Sequence, residues 1–147
     1  MNKNILVIQG GGRAKGNTAR LVESFKAGAE ESGHSVEVVS LLRNEVKGCL
    51  GCNACRYGKP CVQKDAFHDL VPKIKAADCI VFASPLYFWT FEQAVSYYQF
   101  ALVNYIGFRD RGMVLAGGCG DTNGRPQIDN TEYLQKAYKF GKFIYEE

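Results

Sequence analysis

Apolar positions along the chain alternate between short continuous runs and longer segments with helical spacing. The short runs predict parallel strands: buried ones at Asn4–Gln9 and Cys79–Ala83, a half-alternating edge strand at Ser35–Ser40 and a fourth strand at Met113–Ala116. The longer segments predict helices from Asn17 or Thr18 to Gly33, at Ala66–Ala76, at Phe91–Tyr105 and at Thr131–Ile144. This order predicts an α/β fold: a doubly wound parallel sheet of four strands between two layers of helices.

No repeat or linker divides the sequence, so residues 1–147 are predicted to form one domain with an irregular, cysteine-rich loop at about 42–65. In doubly wound sheets the ligand binds beyond the carboxyl ends of the strands. Here those ends are the loops at 10–17, 84–90 and 117–124.

The composition narrows the class of protein. The chain has 18 Lys and Arg, 15 Asp and Glu and 46% hydrophobic residues, which excludes a disordered chain and gives no basis for nucleic-acid binding. No apolar run approaches the roughly 20 residues of a membrane span, and Ile5–Ile8 is shorter than the roughly 7–15 residues of a signal peptide. We therefore expect a cytoplasmic location without membrane contact, where the six cysteines are thiols or ligands instead of disulfides.

The glycine-rich stretch from Gly10 to Thr18 follows the first strand and opens the first helix. Its backbone N–H groups and the positive helix end suit an anion, and Arg13 and Lys15 add charge. Asn17 stands where a Walker loop has lysine, and Lys15 where the dinucleotide fingerprint has its third glycine. The loop therefore predicts a site for a single terminal phosphate; the alternative is a tight turn without a ligand.

Four cysteines follow the spacing C-x2-C-x2-C-x5-C: Cys49, Cys52, Cys55 and Cys61. Three cysteines separated by two residues each resemble the run that holds a 4Fe–4S cluster in bacterial ferredoxins. The last gap is longer here, and Val62 replaces the ferredoxin proline. An iron–sulfur cluster, a zinc ion and unligated thiols all remain open.

Three aromatic residues lie beyond the third strand, in the run Ser84, Pro85, Leu86, Tyr87, Phe88 and Trp89. Aromatic side chains at this edge favour a flat ligand. A ligand with one phosphate and a flat ring system suggests FMN.

With these motifs the sequence resembles the NAD(P)H-dependent FMN reductases of flavodoxin-like fold, and more closely their cysteine-rich subgroup, the iron–sulfur flavoproteins. The segment Gly10–Leu21 is similar to the family's G-S-x-R-x-x-G-N-T-x-x-L. The four cysteines followed by Lys64-Asp65, the run Ser84–Phe88 and the tail Gly117–Gly141 extend the resemblance over nearly the whole chain.

The resemblance implies FMN as cofactor, NAD(P)H as hydride donor and a small-molecule or protein electron acceptor, with an optional 4Fe–4S cluster on the four cysteines. The implied FMN contacts are Gly10, Gly11, Gly12, Arg13, Lys15, Asn17, Thr18, Ser84, Pro85, Leu86, Tyr87, Phe88, Trp89 and Gly118. No side chain is required as nucleophile or base, because the cofactors carry the chemistry.

The chain departs from the family pattern at three places. Gly11 replaces a serine of the phosphate loop, and Trp89 replaces a small residue, usually glycine. Compared with the family, a segment of about thirty residues is missing between Trp89 and Thr90, the size of a helix and a strand. The loop at 117–121 would have to replace the third flavin-contacting loop of that segment.

The third helix is rich in aromatic residues, which predicts either packing on the chain's own sheet or contact with another subunit of a homo-oligomer, a dimer or tetramer. Its large apolar residues include Tyr97, Tyr98, Phe100, Tyr105 and Ile106. Three functions remain open at this point: an FMN-dependent oxidoreductase, a flavin electron carrier, and a family member without FMN that acts in binding or assembly.

Overall fold

A computed structural model gives the structure of residues 1–42, 44–87, 90–119 and 127–146. In these ranges, one parallel sheet contains β1 (Asn4–Gln9), β2 (Ser35–Ser40) and β3 (Cys79–Ala83), in the order β2-β1-β3. The helices are α1 (Asn17–Glu31), α2 (Phe67–Ala76), α3 (Phe91–Tyr98), which continues as a π-helix (Gln99–Tyr105), and α4 (Tyr133–Lys142). Single turns of 3₁₀-helix lie at Ala54–Tyr57 and Ile128–Asn130. The order 2-1-3 is the beginning of the flavodoxin-like strand order, so the predicted fold class is confirmed.

The prediction of a fourth strand at Met113–Ala116 is wrong, because this segment forms no ladder with β3. Side chains hold the segment at its ends. The guanidinium of Arg111 stacks 4.6 Å from the centre of the Tyr145 ring, and Gly117 lies against the Phe91 ring. The outer edge of β3 therefore has no strand partner in the described part of the chain, and Phe82 is 53% exposed there.

The hydrophobic core lies on one face of the sheet, beneath α1 and α4. Ile5 and Val7 of β1 point into it and meet Val22 and Phe25 of α1, and the Phe25 and Phe140 rings are 5.8 Å apart. A large apolar side chain buried in this way contributes roughly 1.5–3 kcal/mol. The alternation along β1 explains the choice of face, because Leu6 and Ile8 point to the other one.

Two glycines allow α1 and α4 to run side by side in van der Waals contact. A Cβ atom on Gly28 would lie 2.0 Å from the carbonyl oxygen of Tyr138, and one on Gly141 would lie 2.1 Å from that of Phe25. Two serine hydroxyls fasten the same interface: Ser24 donates to the carbonyl of Leu134 at 2.6 Å and Ser32 to that of Lys142 at 2.7 Å. The backbone contact thus depends on the absence of a side chain at two positions.

Helix α2 covers the opposite face less completely. Leu70 is its one buried residue, and a cleft of about 590 Å³ separates the helix from β2. Lys73 of α2 forms an ion pair with Glu37 of β2 across this cleft. None of the residues that line the cleft belongs to the loops at the carboxyl ends of β1 and β3, so it is a packing gap beneath α2.

Hydrogen bonds join the two ends of the cysteine-rich loop at Lys47 and Asp65, which we call the neck of the loop. The carboxylate of Asp65 accepts from the N–H of Lys47 at 2.7 Å and from the N–H of Phe67 at 3.1 Å. The bond from Lys47 lowers the pKa of Asp65 below its usual range. One ring nitrogen of His68 lies 3.1 Å from the Cys61 carbonyl and 2.6 Å from the Gln63 carbonyl, which fixes the segment that carries the last cysteine.

We predict that Gly28→Ala destabilises the protein by about 2 kcal/mol or more, although alanine in an ordinary helix is favoured over glycine by roughly 0.5–1 kcal/mol. The new methyl group would overlap the Tyr138 carbonyl. Urea unfolding followed by circular dichroism measures the difference. Gly48→Ala is the control, because nothing lies within 4 Å of its Cβ position; equal stability of both variants would contradict the close contact.

We predict that Asp65→Asn opens the neck of the cysteine-rich loop, since an amide can no longer accept both N–H groups. Hydrogen exchange of the Lys47 amide should become faster in the variant. In the wild-type chain the lowered pKa means that the carboxylate's contribution is present above the unfolded-state pKa of about 3.9 and is lost as the pH falls through the folded-state pKa.

Asp69→Asn is the control: it removes the same charge in the first turn of α2, four positions further on, and the Asp69 side chain makes no described contact with the neck. Exchange at Lys47 that responds equally to both variants would rule out a specific role for Asp65.

Candidate functional site

Three loops meet at the carboxyl edge of the sheet. The N–H of Gly10 donates to the carbonyl of Ala83 at 2.7 Å, which joins the loop after β1 to the loop after β3. The side-chain amide of Asn17 donates to the carbonyl of Cys119 at 2.6 Å, which joins the start of α1 to the segment at 117–119. The structure thus brings together the described parts of all three loops that the strand pattern indicated.

The contact between the first two loops explains the glycine at position 11. Its backbone has φ of +111°, a conformation that L-residues rarely adopt. A Cβ atom there would also lie 3.3 Å from the Cδ of Pro85. The glycine that replaces the family's serine therefore lets the loop turn closely against Pro85.

The first turn of α1 has the properties of an anion-binding helix terminus. Gly16 occupies the N-cap position, so no side chain caps the free N–H groups, and the first turn contains no acidic residue. Arg13 and Lys15 are exposed on the loop before it and have no ion-pair partner among the described residues. An anion at this position would receive backbone N–H groups, the positive helix end and two cations.

A buried polar atom in the same place lacks a partner. The Oδ1 atom of Asn17 is inaccessible to solvent and accepts no hydrogen bond from the described residues, while its amide nitrogen is bound to Cys119. A buried acceptor without a donor is costly. A ligand that carries hydroxyl groups could supply that donor.

An ion pair fixes the helix start to the far end of the third loop. The two terminal nitrogens of Arg20 lie 2.9 Å and 2.5 Å from the two carboxylate oxygens of Asp129. This bidentate geometry holds the 3₁₀ turn at 128–130 beside α1. Since Arg20 is paired with Asp129, the cations left to bind an anion at the loop are Arg13 and Lys15.

The loop after β3 supplies the exposed apolar surface at this edge. Leu86 and Tyr87 are both exposed next to the glycine-rich loop. Phe88 and Trp89, which the sequence also predicted as flavin contacts, lie outside the described residues. Ser84 turns its hydroxyl onto the Pro85 carbonyl at 3.0 Å, so it stabilises the turn itself.

The four cysteines of the loop lie at or near the surface but do not converge. Cys49, Cys52 and Cys55 are exposed and Cys61 is half-buried. Among the described residues, which include all four, no group of three or more Cys, His, Asp or Glu side chains is arranged to hold a metal ion. The thiol positions therefore do not fit a 4Fe–4S cluster or a zinc ion in this structure, and metal binding stays a prediction from the spacing.

The remaining two cysteines are not activated thiols. Burial raises the pKa of Cys119, whose thiol points to the carbonyl of Gly117 at 3.4 Å. Burial likewise raises the pKa of Cys79 inside β3. A raised pKa lowers the fraction of thiolate, which is the reactive form.

The sequence did not indicate every residue that shapes the site. Asp129 and the carbonyl of Cys119 were missed because their partners, Arg20 and Asn17, are more than 100 positions away in the chain. Asp65 carried a usable signal, since an aspartate just before an apolar helical segment is a common helix start. No pattern in the sequence indicated His68, which contacts backbone carbonyls only.

Taken together, the carboxyl edge fits the phosphate end of FMN. The uncapped helix start and the two cations suit the phosphate, and the free Asn17 oxygen suits a hydroxyl group of the ribityl chain.

In the described ranges, no helix combines the length and apolar composition needed to cross a bilayer.

Comparison with known proteins places these features in a family. Residues 3–91 match the family of NADPH-dependent FMN reductases. An iron–sulfur flavoprotein of Methanocaldococcus jannaschii is 36% identical over 84 residues, which are 57% of this chain and 44% of that protein. An iron–sulfur flavoprotein of Archaeoglobus fulgidus is 37% identical over 83 residues, 56% of this chain and 41% of the relative. The chain thus spans less than half the length of these curated relatives.

The fold has a counterpart among solved structures. An NAD(P)H:quinone oxidoreductase from Methanothermobacter marburgensis superimposes with a TM-score of 0.70 at 16% identity, covering 100% of this chain and 99% of that one. The likeness shows the flavodoxin-like fold. Since the family match covers more than half of the sequence, from β1 to the first residue of α3, this chain belongs to the NADPH-dependent FMN reductase family.

Proposed function

We propose that the protein is an FMN-dependent oxidoreductase that takes reducing equivalents from NAD(P)H and passes them to a small-molecule or protein acceptor. The observation that carries the proposal is the convergence of three loops on the uncapped start of α1. Family membership and the similarity to iron–sulfur flavoproteins support the same conclusion.

The glycine-rich loop would hold the phosphate of FMN. The loop carries no side chain at Gly10, Gly11 or Gly12. Nothing lies within 4 Å of the Cβ position of Gly12, so a phosphate can approach the backbone N–H groups closely. Arg13 and Lys15 supply charge, and Thr18 lies in the first turn of α1. A terminal phosphate is favoured over a dinucleotide because Lys15 stands where the dinucleotide fingerprint requires its third glycine.

The flavin ring would lie along the loop after β3, at Ser84, Pro85, Leu86 and Tyr87. Gly118 would contact the cofactor from the third loop. When bound, FMN supplies hydride acceptance and electron transfer. The chain's own part is to bind and orient the cofactor, and Leu86 and Tyr87 provide apolar surface that would exclude water from one side of the ring. The chemistry would be the cofactor's own, so the proposal requires no side chain as general acid or base.

A family member that has lost FMN is the second candidate function, because the sheet has three strands in the described residues. Such a protein would act in binding or assembly. Among the described residues, the Asn17 Oδ1 atom accepts no hydrogen bond, and this favours a retained ligand over that alternative.

We predict that the fluorescence of FMN is quenched when the protein is added, with one binding site per chain. FMN should bind at least about tenfold more tightly than riboflavin. One hydrogen bond to a charged group contributes roughly 1.5–3 kcal/mol, and riboflavin lacks the phosphate. Titration of flavin fluorescence measures both affinities. FMN fluorescence that stays unquenched by a folded protein would overturn the proposal and support the assembly function.

Gly12→Asp is expected to weaken FMN binding about tenfold or more, because like charges about 4 Å apart repel by roughly 1–4 kcal/mol near a protein surface. The fold should tolerate the change, since the Cβ position is open. Gly48→Asp makes the same substitution at another open position and should leave the affinity unchanged. Equal loss in both variants would place the phosphate elsewhere.

Anaerobic mixing of the FMN-loaded protein with NADH and NADPH distinguishes an enzyme from an electron carrier. We expect bleaching of the flavin absorbance by one of the two nucleotides and steady-state oxidation of that nucleotide with a quinone. Bound FMN that neither nucleotide reduces would identify a carrier that receives its electrons from another protein.

A further inference from the structure

A polar side chain is buried at the end of the central strand. Gln9 is 8% exposed, and among the described residues no other polar or charged residue is buried. The alternation along β1 places its side chain on the same face as Ile5 and Val7, which belong to the hydrophobic core. Packing alone would favour a third apolar side chain at this position, so the amide needs another explanation.

The side-chain amide of Gln9 makes no hydrogen bond in the described part of the chain, although the backbone of the residue is bonded. The carbonyl of Gln9 accepts from the N–H of Leu41 at 2.8 Å, and the residue pairs with Ser40 of β2 and Ala83 of β3. A buried amide without a partner destabilises a protein, and most buried polar groups have one. A partner from outside the chain would satisfy this amide.

The amide of Gln9 can be reached from outside the protein. In the described ranges, the side-chain polar atoms that are both sealed from solvent and unbonded belong to Asn17, His34 and Tyr145. The amide atoms of Gln9 are not among them, so they keep some contact with solvent. Because Gln9 is the last residue of β1 and α1 covers the core face behind it, this contact lies at the carboxyl edge, where the three loops meet.

The unbonded oxygen of Asn17 belongs to the same end of the sheet. Helix α1 runs back over β1, and its residue Val22 shares the core with Val7, so the start of the helix lies over the end of the strand. Gln9 and Asn17 thus approach the site from two different elements. The Asn17 oxygen can only accept a hydrogen bond, whereas the glutamine amide can both donate and accept.

We infer that Gln9 is a specificity residue of the cofactor site, and that its amide bonds a hydroxyl group of the ribityl chain of FMN. The inference rests on the proposed function, because it takes FMN as the ligand. With the phosphate at the start of α1 and the ring along the loop after β3, the chain that joins them passes the end of β1.

The chemistry of the linker decides how well it fits this position. Hydroxyl groups donate and accept hydrogen bonds, as the amide does. A ligand with an apolar linker of the same length would leave the amide of Gln9 unbonded, and a site built to bond a hydroxyl group discriminates against a ligand that lacks it. The site therefore selects a flavin with a polyol linker.

Titration of flavin fluorescence with two ligands tests the inference. One ligand is FMN, and the other is a flavin in which a pentyl chain with the same terminal phosphate replaces the ribityl chain. Gln9→Met removes the amide and keeps the length of the side chain. We expect the variant to bind FMN about fivefold more weakly than the wild type, the effect of one neutral hydrogen bond, and to bind the pentyl analogue equally well.

Gln135→Met is the matched control, because it makes the same change at an exposed position of α4. It should alter the affinity for neither ligand. A wild-type protein that binds neither ligand would overturn the proposed function and this inference with it. Wild-type binding of FMN that Gln9→Met leaves unchanged, or that it weakens equally for both ligands, would overturn the inference alone.

If Gln9→Met fails to fold by circular dichroism, the side-chain amide protons of Gln9 in the wild-type protein decide. Their hydrogen exchange, followed by NMR, should become slower when FMN is added and should not change with the pentyl analogue. Exchange that responds equally to both ligands, or to neither while FMN is bound, would exclude the bond to the ribityl chain.

Discussion

The backbone contact between α1 and α4 is the constraint on which the rest of the structure depends. Gly28 and Gly141 bring the two helices close enough for each to meet the other's carbonyl groups, and Ser24 and Ser32 fasten the pair. Together the two helices close the face of the sheet that Ile5 and Val7 occupy. A second contact fixes the α1 N-terminus, because Arg20 binds Asp129 in the turn just before α4. The position of the candidate phosphate loop therefore depends on the packing of α1 against α4, to which the residues of the loop do not contribute.

Local patterns were enough to predict most of the secondary structure and the edge of the sheet that carries the candidate site. The three strands have the bounds that their β-branched runs indicated, and the continuous apolar run of β1 corresponds to the strand with the most buried residues. Met113–Ala116 has an equally apolar sequence but does not join the sheet, because strand formation also needs a partner edge in the correct place. At the ends of that segment Arg111 stacks on Tyr145 and Gly117 lies against Phe91. A contact such as that between Asn17 and Cys119, which are 102 positions apart, cannot be predicted from a local sequence pattern.

The cysteine-rich loop shows how closure of a loop differs from assembly of a metal site. Asp65 and His68 fix its neck through backbone groups, and positive φ angles at Gly51, Asn53 and Gly58 let the chain reverse direction between the thiols. The loop is thus shaped by protein groups, while three of its four cysteines are exposed. The spacing of the cysteines could be recognised in the sequence, but their separation in space could not. That separation depends on turns whose direction the spacing does not determine.

The pairing of α1 with α4 also has a consequence for how the chain acquires its structure. Ser24 and Leu134 are 110 positions apart, so the contacts between these helices have a high contact order, which slows folding. During synthesis, the ribosome must release nearly all of the intervening chain before α4 can reach α1. Until then the ring of Phe25 lacks the ring of Phe140, against which it packs in the folded chain.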